Sequence, residues 1–423
     1  MMNAVDLRSR LVEALGPAWP AVAALGRVAE ARGQQPWLVG GGVRDLLLGR
    51  GVRDVDLVVE GDARALAEAV AAAEGGTVVG HAAFGTAKWT PASGGVPLDL
   101  ATARTETYPT PACLPVVEPA GLDADLARRD FSINAMALGT WGSHAGVLLD
   151  PHGGRTDLEA RVLRILHPGS FEDDPTRALR AARFASRFSL VLGTRTGERL
   201  ADAVAGGAFG PLGVERLGAE LDRLLHEPDP VGALRWLGEW GLAPVVVPGL
   251  GIDAALLDDA VALIDACAEA SRLAPDAPAP AADALWMLLA DGLAPETRSG
   301  AVRMVPGGGV RHARFRAGLG ATRAAIGALG TDRGEAGHVL RGLDPVASAA
   351  VLAMGPADAR AQTRWWLTDG RRVRLGLDGR DLIEAGVRPG PGLGRALAAA
   401  WSAAWRGDAP VDQRAAALGV AAD

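Results

Sequence analysis

The segment from residue 37 to residue 60 constrains the fold of this chain more than any other. It reads WLVGGGVRDLLLGRGVRDVDLVVE, so an apolar run ends in three glycines, a short helix start follows, and a second apolar run contains Asp54 and Asp56. Side chains alternate between the two faces of a strand, so these carboxylates point the same way, roughly 7 Å apart along the backbone. The pattern predicts a rigid strand that presents two acids on one face.

This segment indicates metal-dependent chemistry on a nucleoside triphosphate. Paired carboxylates suit hard divalent cations such as Mg²⁺, and they fit a two-metal arrangement in which one ion activates a hydroxyl and the other holds the triphosphate. The glycines at 40–42 let a phosphate approach backbone N–H groups, and Arg44 is placed to meet phosphate oxygens. The alternatives are a plain glycine turn and a pairing of Arg44 with Asp45 or Asp54.

Length and composition bound the class of protein. The chain has 423 residues, 49% of them apolar, and a net charge of -7, so we expect two to four domains. The negative balance argues against non-specific coating of nucleic acid but leaves room for a local basic groove. Cys113 and Cys267 have no ligand-like spacing, and no run of about 18 apolar residues occurs. We therefore expect a soluble cytoplasmic protein without a membrane partner.

Arginine supplies nearly all of the side-chain cations. Lys88 is the only lysine among the 43 lysine and arginine residues. A bias in codon composition explains this imbalance most simply.

The periodicity of apolar residues divides the chain into an α/β half and a helical half. The first half predicts strands and helices in alternation, with strands at 37–40, 55–60, 77–80, 83–90, 97–103 and 147–150. Helices are expected at 62–74, at 122–138 and at 5–32, where one or two helices are broken near Gly16-Pro17. From residue 173 onward no convincing strand is predicted, and helices are expected at 173–188, 194–205, 213–226, 230–241, 253–272, 279–291, 308–328, 344–353, 356–368 and 393–405.

Asp99 is a further acid in a strand-like run, Pro97-Leu98-Asp99-Leu100. It could be a third catalytic carboxylate that accepts the proton of the attacking hydroxyl. Alternatively it only ends an edge strand.

The segment DLARRDFSINAMA, residues 125–137, brings two arginines, an acid and an amide within two predicted helical turns. Arg129 could bind a triphosphate. Asp130 and Asn134 are four residues apart, so they share a helix face and could hold ribose hydroxyls. A solvated helix face with internal ion pairs would look similar.

The segment FEDDPTRALRAARFASR, residues 171–187, predicts a helix that begins after an acid, with Pro175 at its first position. Its arginines lie on one stripe, so they repel one another unless anions lie opposite; they are Arg177, Arg180, Arg183 and Arg187. Asp174 and Arg177 together offer an acceptor and donors that can imitate the pairing edge of a base. The alternative is a surface helix bridged to acids of a neighbouring domain.

Together these segments give the chain a family resemblance. It resembles the class II nucleotidyltransferases of the polymerase β superfamily, the tRNA CCA-adding enzymes and bacterial poly(A) polymerases. The matching pieces occur in the family's order and are LVGGGVRD…DVDLVV at 38–59, FGTAKW at 84–89, LDLATARTETY at 98–108, DLARRDFSINAMA at 125–137, DPHGGRTDL at 150–158 and DDPTRALRAARF at 173–184.

The resemblance implies roles for the residues of the first half of the site. Asp54 and Asp56 match the family's metal-binding carboxylates. Gly41 and Arg44 match its first nucleotide-contact positions, and Arg129 matches the arginine of its second motif.

The resemblance also implies how a nucleotide would be chosen. Asp130 matches the acid that contacts the ribose. Asp174 and Arg177 match the pair that selects CTP and ATP through their pairing edges without a nucleic-acid template. Arg180 and Arg183 match the arginines that follow on the same helix.

From the resemblance we expect an α/β nucleotidyltransferase head followed by an all-α neck, body and tail. The expected boundaries are an N-terminal helical segment at 1–35, the head at 36–166, the neck at 167–235, the body at 236–330 and the tail at 331–423.

The expected activity is Mg²⁺-dependent addition of C, A or both from CTP and ATP to the 3′ end of tRNA, with release of pyrophosphate. Poly(A) synthesis on RNA 3′ ends is the alternative within the family. A catalytically silent RNA-binding module and an NAD-binding oxidoreductase are alternatives from other classes. The missing third glycine of the dinucleotide fingerprint, where Asp45 stands, disfavours the oxidoreductase. The sequence does not indicate the oligomeric state.

Overall fold

The computed structural model describes residues 4–81 and 85–421 and divides the chain into two compact units, Met1–Leu212 and Gly213–Asp423. The division at residue 212 lies within the segment 167–235 expected to be the neck. The expected boundaries between neck, body and tail stay predictions.

The first unit begins with two helices, α1 (Ala4–Leu15) and α2 (Trp19–Ala31), joined by a 3₁₀ turn at Gly16–Ala18. The expected helical pattern with a break near Gly16 is therefore confirmed. Leucines four residues apart place Leu7, Leu11 and Leu15 on one buried face of α1.

The rest of the first unit alternates strands and helices. The strands are β1 (Pro36–Val39), β2 (Val55–Val59), β3 (Thr77–His81), β4 (Thr86–Thr90), β5 (Leu98–Thr102), β6 (Arg104–Thr107), β7 (Val116–Pro119), β8 (Ala137–Gly139), β9 (Leu148–Leu149), β10 (Val162–Leu163) and β11 (Val191–Leu192). The helices are α3 (Gly41–Leu47), α4 (Ala63–Glu74), α5 (Leu122–Ala127), α6 (Gly154–Glu159), α7 (Ser170–Asp173), α8 (Thr176–Phe188) and α9 (Thr194–Ala205).

A mixed sheet organises this unit. Its strand order within the described residues is β3-β4-β5-β2-β1-β8-β9, and β2 and β5 run parallel while the other neighbours run antiparallel. Leu38 and Leu57 belong to the larger apolar core on one face, with residues of α1, α2 and α4, whereas Trp37 and Val58 pack on the other face with Leu126 of α5. The α/β head expected from the sequence is confirmed.

The prediction of one continuous helix at 122–138 is wrong. Helix α5 ends at Ala127, a 3₁₀ turn occupies Ser132–Asn134, and Ala137–Gly139 is a strand of the sheet. The carboxylate of Asp130 accepts hydrogen bonds from the Phe131 amide (2.8 Å) and from Nδ2 of Asn134 (3.0 Å). Such local bonds compete with the helical ladder, and pairing of β8 with β1 then captures the apolar residues that follow.

Three other expectations need correction. The helix expected at 173–188 is two helices, because α7 ends at Asp173 and α8 begins at Thr176, so Pro175 precedes α8 rather than opening it. The hairpin β6–β7 and the short paired strands β10 and β11, the second of which lies beyond residue 173, were not expected. The strand expected at 83–90 is described from Thr86, and Ala83 and Phe84 lie outside the described residues.

The second unit is helical throughout the residues described. Its α-helices are α10 (Val214–Leu225), α11 (Pro230–Glu239), α12 (Ala243–Val246), α13 (Ala254–Leu273), α14 (Ala281–Asp291), α15 (Pro295–Ala301), α16 (Gly309–Ala317), α17 (Gly320–Ala328), α18 (Arg333–Arg341), α19 (Pro345–Met354), α20 (Ala357–Thr368), α21 (Gly379–Glu384), α22 (Pro391–Arg406) and α23 (Pro410–Ala421).

The single helix expected at 308–328 is broken between α16 and α17. Gly318 has a φ of +54°, a left-handed conformation that favours glycine and ends the first helix. Across the described residues no helix combines the length and the apolar character that crossing a bilayer requires.

Candidate active site

A cavity of about 420 Å³ in the first unit collects most of the residues singled out from the sequence. The predicted residues that line it are Gly41, Arg44, Asp56, Arg129, Asp130, Asn134, Asp174, Arg177 and Arg180. Three other predicted residues are not among its lining, namely Asp54, Asp99 and Arg183. Residues from segments far apart in the sequence thus converge on one cavity.

The acids of β2 and β5 form the strand side of the site. Asp56 lies on β2 between buried Val55 and Leu57, and Asp54 lies one residue before the strand; both acids are exposed. Asp99 of β5 stands directly opposite Asp56 in the parallel register. In-register neighbours on adjacent strands point to the same face, about 4.8 Å apart along the hydrogen-bonding direction.

The negative charge around Asp56 favours binding of a cation. Although part of this side chain reaches solvent, the protein atoms around it remove enough water to raise the pKa of Asp56, and the negative charges of Asp99 and Asp54 raise it further against the opposing effect of Arg129. A divalent ion would relieve this repulsion. Within residues 4–81 and 85–421 no group of three or more acidic, His or Cys side chains forms a complete metal site. The two aspartates therefore fit an ion, such as Mg²⁺, that takes its other ligands from water and substrate phosphates.

Arg129 faces these acids and is anchored from behind. Its Nε and Nη2 donate to Oδ2 of Asp125 at 3.2 and 2.7 Å, and Asp125 is fully buried. Burial alone would raise the pKa of Asp125, but Arg129 and Arg128 outweigh it, so that pKa is lowered. A Cβ added at Gly40, whose φ is +62°, would lie 2.9 Å from Nη1 of Arg129. Glycine at this position leaves room for the guanidinium to enter the cavity.

A buried hydrogen-bond network of polar side chains links α3 to α8. Arg44 bonds Oδ1 of Asp45 through Nε (2.9 Å) and Nη2 (2.8 Å), as one alternative from the sequence proposed, and its Nη1 donates to Oδ1 of Asn134 at 2.8 Å. Asn134 donates to Asp130, which also accepts from Nε of Arg180 at 2.9 Å. Burial would raise the pKa of Asp130, but the charge of Arg180 and these hydrogen bonds lower it. This network fixes the positions of polar groups that line the cavity.

The start of α8 forms the opposite wall. The guanidinium of Arg177 is buried and donates from Nη1 to Oγ of Ser170 (2.6 Å) and from Nη2 to the carbonyl of Arg128 (2.9 Å). Asp174 is half-buried, and its Oδ1 accepts from the amide (3.2 Å) and hydroxyl (2.7 Å) of Thr176. Both side chains are held by protein partners and line the cavity, so their donors and acceptors have fixed positions.

Several lining residues were not predicted as site residues, among them Glu106, Tyr108 and Arg128. Glu106 accepts from Nη1 of Arg128 at 2.6 Å and from the hydroxyl of Tyr108 at 3.1 Å, and all three side chains line the cavity. Burial, and then the charge of Glu106, raises the pKa of Tyr108 to about 12. The signal in the sequence is the alternation of polar side chains at Arg104, Glu106 and Tyr108, which places them on one face of a strand.

The comparisons with known proteins agree with this geometry. The family model described as the poly A polymerase head domain matches residues 36–164. A solved structure described as the apo form II of a CCA-adding enzyme superposes with a TM-score of 0.86, at 28% identity, over 97% of this chain and 98% of that one. The fold and the site therefore define a nucleotidyltransferase head of the polymerase β type followed by a helical part.

Two relatives identify the family. The CC-adding tRNA nucleotidyltransferase of Deinococcus radiodurans is 36% identical over 361 residues, which cover 85% of this chain and 82% of that protein. The A-adding tRNA nucleotidyltransferase of Halalkalibacterium halodurans is 45% identical over 211 residues, and the match covers 49% of each chain. The chain belongs to the tRNA nucleotidyltransferase family, whose members generally use a divalent metal ion. Its match spans only about half the length of the A-adding relative.

Proposed function

We propose that this protein is a template-independent RNA nucleotidyltransferase. It transfers CMP, AMP or both from CTP and ATP to the 3′-hydroxyl of tRNA and releases pyrophosphate. The observation that carries the proposal is the single cavity in which Asp56 faces Arg129, Asp130, Asp174 and Arg177. The names of the Deinococcus radiodurans and Halalkalibacterium halodurans relatives support tRNA as the acceptor.

In this proposal Asp54 and Asp56 hold Mg²⁺. The bound metal would neutralise charge on the triphosphate and favour ionisation of the attacking hydroxyl. Arg129, anchored by Asp125, binds phosphate oxygens, while Asp99 accepts the hydroxyl proton. Catalysis then consists mainly of positioning and charge stabilisation by groups that are already fixed.

The remaining lining residues select the nucleotide. Asp130 and Asn134, which belong to the buried hydrogen-bond network, hold ribose hydroxyls. Arg44 fixes the position of Asn134. Asp174 and Arg177 bind the pairing edge of the base, and Arg180 completes this wall. Arg183 is half-buried one turn further along α8, outside the lining of the cavity, so its proposed contact with the nucleotide requires movement or a larger ligand.

The experiment that tests the proposal is sequencing of product ends. Transcripts of tRNA that end before CCA, after C and after CC are incubated with each nucleoside triphosphate and Mg²⁺. Addition of two C residues, of a terminal A, or of all three nucleotides identifies a CC-adding, an A-adding or a CCA-adding enzyme. Long A tracts on unstructured RNA would instead identify a poly(A) polymerase, and RNA binding without turnover of any triphosphate would identify a binding module.

The same assay tests the metal site. Asp54→Ala and Asp56→Ala should each lower incorporation by about 10³-fold, because several kcal/mol of charge stabilisation are lost. The fold should stay intact, since both carboxylates are exposed. Glu68→Gln, an exposed acid on α4 paired with Arg64, is the control and should keep wild-type activity. Near-wild-type activity of either aspartate variant would contradict the assignment.

The cytoplasmic location expected from the sequence is part of this proposal. Fractionation of cells that express the protein at its native level would test it.

A further inference from the structure

A second cavity adjoins the first one and has no role so far. Its volume is about 520 Å³, and it shares Asp56, Arg128 and Arg129 with the nucleotide cavity. Its other walls include Val79 of β3, Thr86 and Lys88 of β4, and Asp99 and Leu100 of β5. Two cavities that meet at one acid can hold two reactants whose reacting atoms meet there.

The second cavity contains an ion pair next to the acids. Lys88 of β4 stands opposite Asp99 in the antiparallel register, and its Nζ lies 3.1 Å from Oδ2 of Asp99. The side chains are 51% and 44% exposed. Such an exposed pair contributes little to stability, about 0–1 kcal/mol, so it can open at little cost.

The chemistry of Lys88 differs from that of every other side-chain cation outside histidine. It is the only lysine among 43 lysine and arginine residues. An arginine at this position could hold a carboxylate with two parallel hydrogen bonds, whereas an ammonium is a compact charge on a flexible stem. Lysine can therefore leave Asp99 for a phosphate, and an arginine would release it less readily.

We propose that the second cavity binds the 3′-terminal nucleotide of the acceptor RNA and that Lys88 binds its terminal phosphodiester. When Lys88 turns to the phosphate, Asp99 loses its partner and is free to accept the hydroxyl proton. Exposed Val79, which pairs with Lys88 across the strands, provides an apolar surface for the terminal sugar or base. The inference rests on the proposed transfer to RNA, and it adds an acceptor subsite and a coupling between acceptor binding and the third carboxylate.

The kinetic experiment separates acceptor binding from nucleotide binding. For Lys88→Gln we expect the KM for the acceptor RNA to rise about tenfold or more, because one charge-assisted hydrogen bond is lost, while the KM for CTP and ATP changes less than twofold. The slope of log affinity against log salt should fall by about 0.7, the value for one phosphate contact on a single strand.

Two further variants sharpen the result. Lys88→Arg keeps the charge, so its acceptor KM should stay closer to wild type, but its kcat should fall because the guanidinium retains Asp99. Arg64→Gln on α4 is the matched control, because Arg64 is also 51% exposed and paired at 2.9 Å, with Glu68. It should leave both KM values unchanged.

A footprinting experiment tests the subsite without turnover. Untagged protein contains one lysine and one α-amine, so limited acylation with an amine reagent followed by mass spectrometry reads both sites. Acceptor RNA should protect Lys88 and leave the α-amine unchanged, and CTP or ATP alone should not protect it.

The outcomes distinguish the two proposals. An active wild-type enzyme whose Lys88→Gln variant keeps the acceptor KM, together with a Lys88 that RNA does not protect, would overturn the acceptor subsite and leave the proposed function standing. A wild-type protein that adds no nucleotide to any RNA would overturn the proposed function, and protection of Lys88 would then still show where RNA binds.

Discussion

Arginine–aspartate pairs occur in both units, but Arg311 of the second unit and Arg129 of the first unit use their donors differently. In the second unit Arg311 donates Nε to Asp283 (2.7 Å), Nη2 to Asp222 (2.5 Å) and Nη1 to the carbonyl of Pro306 (2.7 Å). All three guanidinium nitrogens therefore bond to the protein. This arginine joins α10, α14 and the start of α16.

In the first unit Arg129 bonds Asp125 through Nε and Nη2 only, and its Nη1 lies next to Gly40 in the wall of the cavity. Arg128, in contrast, uses all three of its guanidinium nitrogens on Asp125 and Glu106. The same pair of residue types therefore serves packing when every donor of the arginine is used internally. It serves binding when one side of the guanidinium is anchored and the other faces a cavity.

The largest effect that tests this comparison is expected for Asp125→Asn. Removing one partner of a buried ion pair costs about 3–5 kcal/mol of unfolding free energy. Because Arg129 also loses its anchor, the KM for CTP and ATP should rise and kcat should fall. Urea unfolding and steady-state kinetics measure the two effects on the same protein.

The matched variant in the second unit is Asp283→Asn. It removes a half-buried carboxylate that accepts from Arg311 and Arg314, so roughly 1.5–3 kcal/mol should be lost. The KM for CTP and ATP should not change. A change in nucleotide KM for Asp283→Asn, or an unchanged one for Asp125→Asn, would break the distinction between the two kinds of pair.

A smaller effect is expected from acid. The pKa values of Asp125 and Asp130 are lowered in the folded protein, since the neighbouring arginines outweigh burial. Between the ordinary aspartate pKa of about 3.9 and the lowered folded values, the unfolded chain therefore binds more protons than the folded protein does. Their stabilising contribution is complete above that value and is lost as the pH falls through the lowered folded values.

Urea unfolding of the wild type, Asp125→Asn and Glu68→Gln at several pH values measures this loss. The free energy of unfolding of the wild type should decline below about pH 4, and the decline should be shallower for Asp125→Asn. Parallel curves for all three proteins would show that Asp125 does not contribute to the acid sensitivity.

The smallest effect is expected for Tyr108→Phe. Because the pKa of Tyr108 is raised to about 12, its hydroxyl stays protonated at working pH and donates to Oε2 of Glu106. Loss of this bond should cost about 1 kcal/mol of unfolding free energy. Arg104 and Arg128 still hold Glu106, so the KM for nucleotide should change by less than about twofold. A tenfold change would indicate that Tyr108 contacts the nucleotide directly.

The sequence predicted well those elements whose signals are local. The helix α4 begins after Asp62, whose carboxylate accepts from the amides of Arg64 and Ala65, and it ends at Gly75 with a φ of +75°. Cap and stop are both local, so they could be read from residue types. The prediction for the segment after Asp125 failed for the opposite reason, because its strand β8 pairs with β1, far earlier in the chain, as well as with β9.

The site shows the same division. Residue types and spacing identified Asp56, Arg129 and Arg177, since each stands in a segment with its own pattern. Glu106 was missed because it lies on a hairpin whose two short strands are joined by a long loop, residues 108–115. The pairing of Lys88 with Asp99 was also invisible, since it depends on the register of β4 against β5.

The sequence alone determined the class of fold, the paired acids Asp54 and Asp56 at the start of β2, the arginines of α8 and the family. Periodicity, caps and short motifs are properties of neighbouring residues, and no knowledge of distant contacts is needed to recognise them. Only the tertiary structure decided which arginine donors bond within the protein and which face the cavities. It also decided that Asp56 lies where two cavities meet. Those facts depend on strand register and on burial, which bring together residues far apart in the chain.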